Sequence, residues 1–284
     1  DVDREKVNKY TSLHRLIKDE QTNTLLGDKK ELNHLVQPKL KAFKDFVSDN
    51  INNELYKSED DYFWVWDDQN GNEVSFLGLN SVWASQNDRD QNNTTLGEKQ
   101  FDQARKKARY SRKILLMHHP LYNWMYNKDI NRYRGDIIKH CDLILYGHEH
   151  CDDAVKVTDP SESCIMLGAN ASYTDEKDGF IGFQFIQPEF SPDGVNVKVW
   201  PYRYETAGRQ RFVPHNHRWE GQNGKEYFVI DLKYRSKRKP GKPGSSLKIP
   251  EEYMEYIEVL QSNVPLKQIK KRGEPVRVTI PDIY

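Results

Sequence analysis

Two histidine-containing segments, each following a short apolar run, are the residues of this sequence best suited to metal chemistry. The stretch DLILYGHEHCDD (142–153) places His148 and His150 two positions apart, just after a run of apolar and aromatic residues. Side chains i and i+2 of an extended segment point to the same side, so both imidazoles can face one metal ion or two adjacent ions. Gly147 allows the backbone to turn sharply as it leaves the strand.

The second segment, ILLMHHPLYNW (114–124), also ends an apolar run with histidines, here His118 and His119. Ligand sites in open α/β sheets form at the carboxyl ends of the strands. We therefore expect His118 or His119 to lie close to His148 and His150. Converging imidazoles suit zinc, manganese or iron.

The elements that must position these histidines are two buried strands and the helix between them. KILLM (113–117) and DLILY (142–146) are short apolar runs, and a helical turn is expected at about 131–139. Strand, helix and strand over this length predict a βαβ unit whose strands are buried on both faces. Its two strand ends then carry the two histidine pairs.

Other segments predict the surroundings of this unit. The apolar stripe of residues 5–56 predicts helix, divided near Pro38. YFWVW and EVSFLGLN, separated by DDQNGN, predict a β-hairpin. Thr95 and Glu98 form a capping-box pattern that predicts a helix through about Tyr110. Further strands are expected at AVKV, SCIML, FIGFQFI, VNVKVWPYRY and KEYFVIDL.

The bulk composition excludes several classes of protein. The chain of 284 residues carries 43 basic and 43 acidic residues, so its net charge gives no general attraction to nucleic acid or membrane. No apolar run approaches the ~20 residues of a membrane span. The three cysteines form no CxxC pattern, which favours reduced thiols and a cytoplasmic setting.

The HHP motif after one strand and the GHEH motif after the next resemble the calcineurin-like metallophosphoesterases. GLNS (78–81) and LGEKQFDQARKKAR (96–109) resemble the strand and helix that precede HHP in that family. The resemblance covers about residues 1–205. It implies an α/β fold, an αββα four-layer sandwich of two mixed β-sheets, with two divalent transition-metal ions (Mn, Fe or Zn) between the sheets. A bridging hydroxide would attack phosphorus in line.

Carried over to this chain, the resemblance implies that His118 and His148 bind one metal and His150 binds the other. His119 would be a neighbour of the site rather than a ligand. A structural zinc site built from His148, His150 and Cys151 is a further alternative, but the HEHC spacing is tight for one tetrahedral ion.

The family's N-terminal motifs, DxH, GDxxD and GNH, are not in this sequence. The opening residues, DVDREK, resemble the end of the family's GNHDVDR turn, which would make Asp1 the last residue of that turn and the fold incomplete at its N-terminus. Asp1 would then orient the absent histidine without binding a metal ion itself, and Arg4 could lie near the substrate phosphate. An ordinary charged N-terminus is the alternative. On the first interpretation the chain alone is inactive, and the N-terminal half comes from the same or another chain.

The expected activity is metal-dependent phosphoester hydrolysis, with a phosphodiesterase or nuclease acting on nucleotides or nucleic acid preferred. Tyr122 and Trp124 follow HHP at the rim of the expected site, where nucleobases could stack or where the rings could simply pack. The alternative is a catalytically inactive module that kept the fold and serves as an interaction domain in a larger assembly.

Residues 206–284 differ in character from the rest and are expected to form a C-terminal extension. They include a basic stretch, KYRSKRKPGKPGSSLK (233–248), which reads as a linker that could also follow a phosphate backbone. This composition suggests a junction to a further domain or to a partner, and hence a multidomain protein.

Overall fold

The computed structural model describes residues 21–28, 30, 36, 40–42, 44–45, 63–68, 73–85, 90–151, 153–158, 162–171, 181–205, 211–215 and 227–235, and the backbone of 270–271 and 274–275. Asp1, Arg4, most of the predicted helical segment 5–56 and most of the basic linker 233–248 lie outside these residues. Within that helical segment, Val36 and Leu40 are helical and buried, as the predicted apolar stripe requires.

The described elements alternate between strands and a few helices. The helices are α1 (Thr22–Leu25), α2 (Glu98–Lys107) and α3 (Asn127–His140). The strands are β1 (Phe63–Asp67), β2 (Val74–Leu79), β3 (Arg112–Met117), β4 (Leu143–Tyr146), β5 (Ala154–Thr158), β6 (Ser163–Gly168), β7 (Gly182–Ser191), β8 (Gly194–Glu205), β9 (Arg211–Pro214), β10 (Phe228–Lys233), β11 (Lys270–Lys271) and β12 (Glu274–Pro275).

The first sheet has six strands in the order β1-β2-β3-β4-β6-β5. Its four central strands run parallel, and the edge strands β1 and β5 pair antiparallel to their neighbours. The predicted hairpin is confirmed as β1 and β2, and the predicted βαβ unit is confirmed as β3, α3 and β4. Parallel strands are covered on both faces, which explains why β3, β4 and β6 are continuous apolar runs.

The second sheet is formed by the order β10-β8-β7, with β9 pairing with β8. All its described pairings are antiparallel, so the expectation of two mixed sheets is wrong for this sheet. Two residues join β7 to β8 and five join β8 to β9, and such short connections allow only antiparallel neighbours. The predicted strands AVKV, SCIML, FIGFQFI, VNVKVWPYRY and KEYFVIDL correspond to β5, β6, β7, β8 and β10.

Two apolar cores hold the layers together, one on each face of the first sheet. Helices α2 and α3 cover one face through residues such as Phe101, Ile130 and Ile137. The other face packs against the second sheet, where Val197 and Val199 meet Ile165 and its neighbours. The chain is thus a mixed α/β protein with helices on one side of two packed sheets. A fourth, helical layer is not seen among the residues described above.

The start of α2 differs from the predicted capping box. The helix begins at Glu98 with Gly97 at the N-cap, in a left-handed conformation (φ 78°). The Thr95 hydroxyl accepts the Gly97 N–H at 3.1 Å and donates to Asp129 of α3, so it is committed to another helix. Tyr133 donates to the same carboxylate at 2.9 Å, and burial raises the pKa of this phenol well above its usual value. Tertiary contacts therefore replace the local cap.

The cysteines Cys141, Cys151 and Cys164 form no disulfide, in agreement with the expected reduced thiols. Cys141 and Cys164 are buried in the core between the first sheet and the helices. None of the helices within the described ranges has the length and apolar character needed to cross a bilayer.

Candidate metal centre

The site lies where the parallel strands β3 and β4 end. Met117 and Tyr146 are paired as the last residues of their strands, and the chain continues into the two histidine segments. The Gly147 N–H donates to the His118 carbonyl at 3.0 Å, which extends the pairing one step beyond the strands. The βαβ unit therefore places both histidine segments at one edge of the sheet, as predicted.

Three of the imidazoles form one cluster. His118, His119 and His148 each offer a ligand atom, and these atoms all lie within 4.8 Å of one another. Nε2 of His118 and Nδ1 of His148 are 3.0 Å apart. Two nitrogens that share one zinc-like ion are separated by about 3 Å, given metal–nitrogen distances of about 2.0–2.1 Å. The donor set therefore fits a borderline divalent transition metal.

Ser81 orients His119 within this cluster. Nδ1 of His119 lies 3.0 Å from the Ser81 carbonyl oxygen, which can only accept, so Nδ1 carries the proton. The lone pair of the neutral ring is then on Nε2, the tautomer in which a histidine ligates through Nε2. The Ser81 hydroxyl also accepts the backbone N–H groups of His118 at 3.1 Å and of His119 at 2.9 Å. One buried serine thus holds both histidines of the HHP motif.

The electrostatics of the cluster favour neutral imidazoles. Partial burial of the ring, followed by repulsion from the charges that His148 and His150 would carry, lowers the pKa of His118 from 6.5 to about 4. Much of His118 is still exposed, but its ring is close to those of His119 and His148. The centroids of these two rings each lie 4.8 Å from the centroid of the His118 ring. A metal ligand must be unprotonated, so His118 is ready to bind at neutral pH.

Trp124 covers one side of the cluster. Its ring meets the His148 ring edge-on with centroids 4.0 Å apart, and the His119 ring lies 5.6 Å away. The indole Nε1 donates to the Glu149 carboxylate at 3.0 Å, which fixes the ring over the histidines. The predicted rim position is therefore occupied by Trp124.

The GHEH segment is not extended, contrary to the reasoning that predicted two imidazoles on one side. His148 and His150 have positive φ angles of 71° and 49°, in the left-handed region that non-glycine residues rarely adopt. Gly147, which was expected to provide the turn, has no such angle. The cluster consequently contains His148 but not His150, which is exposed and close enough to His118 to lower its pKa. The role of His150 as a ligand of a second metal remains a prediction.

The other predicted site residues are distributed as follows. Tyr122 packs against the helical core, and its ring lies 5.0 Å from the Arg134 guanidinium, so it is not among the cluster residues. Cys151 is absent from the cluster as well, which leaves the histidine–cysteine zinc alternative without geometric support. Asp1 and Arg4 lie outside the described residues.

Sequence reasoning missed Ser81 and Glu149 as members of the site. Ser81 lies 37 positions before His118, and its only signal is the GLNS motif at the end of a predicted strand. Glu149 stands between the two histidines of GHEH, yet nothing local indicates that it accepts a bond from Trp124. Both contacts join segments that are distant in sequence.

Comparisons with known proteins do not assign a function to this site. No family model matches the sequence, and no curated protein and no solved structure matches it either. The functional argument therefore rests on the residues themselves.

Proposed function

We propose that this chain is the metal-binding portion of a phosphoester hydrolase of the calcineurin-like metallophosphoesterase type, with the corresponding αββα sandwich. The observation that supports this best is the convergence of His118, His119 and His148 at the ends of two adjacent parallel strands. Divalent transition-metal ions bound there would polarise a phosphoryl oxygen and lower the pKa of a bound water, so that a nucleophile exists near neutral pH.

The residues of the chain have distinct parts in this proposal. His118 and His148 hold one metal ion through the nitrogens that now face each other at 3.0 Å. His119, oriented by Ser81, either completes this ligand set or stands beside it. His150 follows as a ligand of the second ion. Trp124 excludes water from one side of the cluster and offers a flat apolar surface to a substrate.

A two-metal centre also needs carboxylate ligands, and the described cluster consists of imidazoles alone. In the resembling family these carboxylates come from the DxH and GDxxD motifs, which the 284 residues do not contain. We propose that polypeptide outside these residues, from the same or another chain, supplies them. The chain without that polypeptide binds metal but does not hydrolyse phosphoesters.

The preferred substrates are phosphodiesters of nucleotides or nucleic acid. Trp124 has the exposure and position to stack on a base, and such stacking is tolerant of sequence. The basic stretch 233–248 would attract a phosphate backbone. The reduced cysteines agree with a cytoplasmic location. The part of residues 206–284 that follows β10 would connect the hydrolase to a further domain or partner.

Metal titration of the full 284-residue chain tests the centre directly. Zinc or manganese affinity is measured by calorimetry for the wild type and for His118→Ala, His148→Ala and His119→Ala. We expect the first two substitutions to weaken binding at least ~10-fold, because each removes a ligand. His140→Ala is the matched control, since His140 ends α3 and bonds to Arg105 and Asp136 instead. If His118→Ala and His148→Ala bind metal as the wild type does, the centre does not exist.

One observation favours a second candidate function, a metallophosphoesterase-like interaction module without activity. The described cluster contains no aspartate or glutamate, as expected if the catalytic half had been lost. Hydrolysis of an aryl phosphodiester by the chain, measured together with the polypeptide that supplies the carboxylates, separates the two candidates. Metal-dependent turnover that His148→Ala abolishes supports the enzyme, and metal binding without turnover supports the module.

A further inference from the structure

The second sheet changes character along the face that packs on the first sheet. In β8 this inner face carries Val195, Val197 and Val199, which are buried in the core between the sheets. The same face continues, by the alternation of strand side chains, with Arg203 and Glu205. The ladder with β7 is continuous from Gly194 to Arg203, so no bulge interrupts this alternation. The inner face of β8 therefore changes from apolar to charged residues at this end of the strand.

Arg203 and Arg211 lie next to each other on this charged end. Arg203 pairs with Val213 of β9, and Arg211 pairs with Glu205, which places the two arginines diagonally across the ladder on one face. In each guanidinium group Nε is buried and has no hydrogen-bond partner among the described residues. No ion pair joins either arginine to Glu205 in that part of the chain, although a buried donor without an acceptor is unfavourable.

This face adjoins the strand end that carries His148. Gln184 of β7, on the same face, donates to the Gly168 carbonyl at 2.6 Å. Gly168 is the ladder partner of Tyr146, two residues before His148, and neighbouring strands lie about 4.8 Å apart. Gly182, the ladder partner of Arg203, lies against Asn170 just beyond the end of β6. Arg203 therefore lies at the edge of the sheets where β6 and the neighbouring β4, which precedes His148, end.

Asn170 closes the space beside Arg203. Its Nδ2 lies 3.0 Å from the position that a Cβ on Gly182 would occupy, and Gly182 is the ladder partner of Arg203. The Oδ1 of Asn170 is buried without a hydrogen-bond partner among the described residues. The NH₂ group of Asn170 is therefore the polar group that faces this space, and it adds a donor beside Arg203.

We propose that Arg203 and Arg211, bordered by Asn170, bind a phosphate group of the substrate at the sheet edge that also carries the histidine cluster. Among the described residues of this face, the charged groups are the two guanidinium groups and the Glu205 carboxylate, which gives these residues one net positive charge for an anion. Arginine binds phosphate oxygens through paired N–H groups, and such charge-assisted bonds would satisfy the orphaned Nε donors. That the bound phosphate belongs to a substrate rests on the proposed function; the anion site itself does not.

Binding of inorganic phosphate to the full chain in the presence of EDTA tests the site. Phosphorus NMR or calorimetry is used to compare the wild type with Arg203→Gln and Arg211→Gln. We expect saturable binding by the wild type and a loss of affinity of at least 10-fold in each variant. Arg203→Lys should fall between them, because lysine keeps the charge but loses the planar pair of donors.

Lys198→Gln is the matched control, because Lys198 lies on the outer face of the same strand and pairs with Glu189 at 2.7 Å. It should bind phosphate as the wild type does. Circular dichroism and urea unfolding establish that each variant is folded. If Arg203→Gln fails to fold, the phosphate affinities of Arg211→Gln and Arg203→Lys decide the result.

The results separate this site from the proposed metal centre. Phosphate binding in EDTA that depends on Arg203 and Arg211 but not on His118 supports the anion site, even if metal titration fails. Equal binding by the wild type and both arginine variants overturns the proposal, and so does the absence of binding by the wild type. Metal binding that persists in either case leaves the proposed function standing.

Discussion

Replacement of Ser81 by alanine should disturb the fold and the metal centre together. The Ser81 side chain is buried, and its hydroxyl accepts two backbone N–H groups, those of His118 and His119. Alanine leaves both donors without an acceptor at a buried position. The bond from Nδ1 of His119 to the Ser81 carbonyl oxygen remains, so the tautomer of that ring is retained.

The expected size of the effect follows from the number of orphaned donors. A buried donor left without a partner costs about 1–3 kcal/mol, so two give a loss of about 2–6 kcal/mol in the free energy of unfolding. With a urea m-value of about 3 kcal/mol/M for a chain of this size, the unfolding midpoint should fall by about 1–2 M. Loosening of the two histidines should also weaken zinc binding by about 10–100-fold, the usual effect of losing a group that orients a ligand.

Ser191→Ala provides the comparison, because its hydroxyl bonds at the β7–β8 turn to the Gly194 carbonyl and the N–H of exposed Asp193. Water can replace the hydroxyl there, so the loss should stay below about 1 kcal/mol with zinc binding unchanged. Urea unfolding followed by far-ultraviolet circular dichroism, and zinc calorimetry, measure both quantities. If Ser81→Ala and Ser191→Ala gave the same midpoint and the same zinc affinity, the assignment of Ser81 as the support of the HHP motif would be wrong.

Three further substitutions or conditions test other parts of the structure. Gly78→Ala should destabilise the chain by about 1–3 kcal/mol, because the new Cβ would lie 2.0 Å from the Trp64 ring; Trp64→Leu in the same background should recover part of the loss in urea unfolding. The pKa of His118 is lowered to about 4 in the fold, so the unfolded chain binds more protons between pH 6.5 and 4. The contribution of His118 to stability is therefore complete above pH 6.5 and is lost as the pH falls toward 4. In a plot of the urea unfolding midpoint against pH, measured in EDTA, His118→Gln should reduce the slope between pH 6.5 and 4. Asp142→Ala should cost about 1–3 kcal/mol in the free energy of unfolding, because it leaves the backbone N–H of Lys113 in β3 without its acceptor. Tyr234→Phe, which removes only a 2.5 Å bond to the same carboxylate, should cost less by the same measurement.

Much of the fold could be predicted from local pattern. Apolar runs such as KILLM and DLILY predicted β3 and β4, because a parallel strand covered on both faces must be apolar along its whole length. The turn signal of DDQNGN predicted the β1–β2 hairpin, and β10 followed from KEYFVIDL. The limits of α2 could not be predicted in this way, because Thr95 bonds to Asp129 of another helix instead of capping its own.

Part of the site could also be predicted from local pattern. Residue types and strand ends were sufficient to bring His118 and His148 together, because adjacent parallel strands end at the same edge of a sheet. The prediction that His148 and His150 point to the same side was wrong, because both residues have left-handed backbone conformations that end the alternation of strand side chains after Gly147. Alternation predicts the direction of a side chain only where the backbone is a regular strand.

What the sequence determined by itself is the set of strands and the two histidine pairs that follow them. The tertiary structure decided which imidazoles converge, the support of HHP by Ser81, the cover of Trp124 over His148, and the position of Arg203. The physical reason is the range of the interactions. Alternation and strand length follow from neighbouring residues, whereas buried hydrogen bonds and the packing of two sheets join segments that only the folded chain brings into contact.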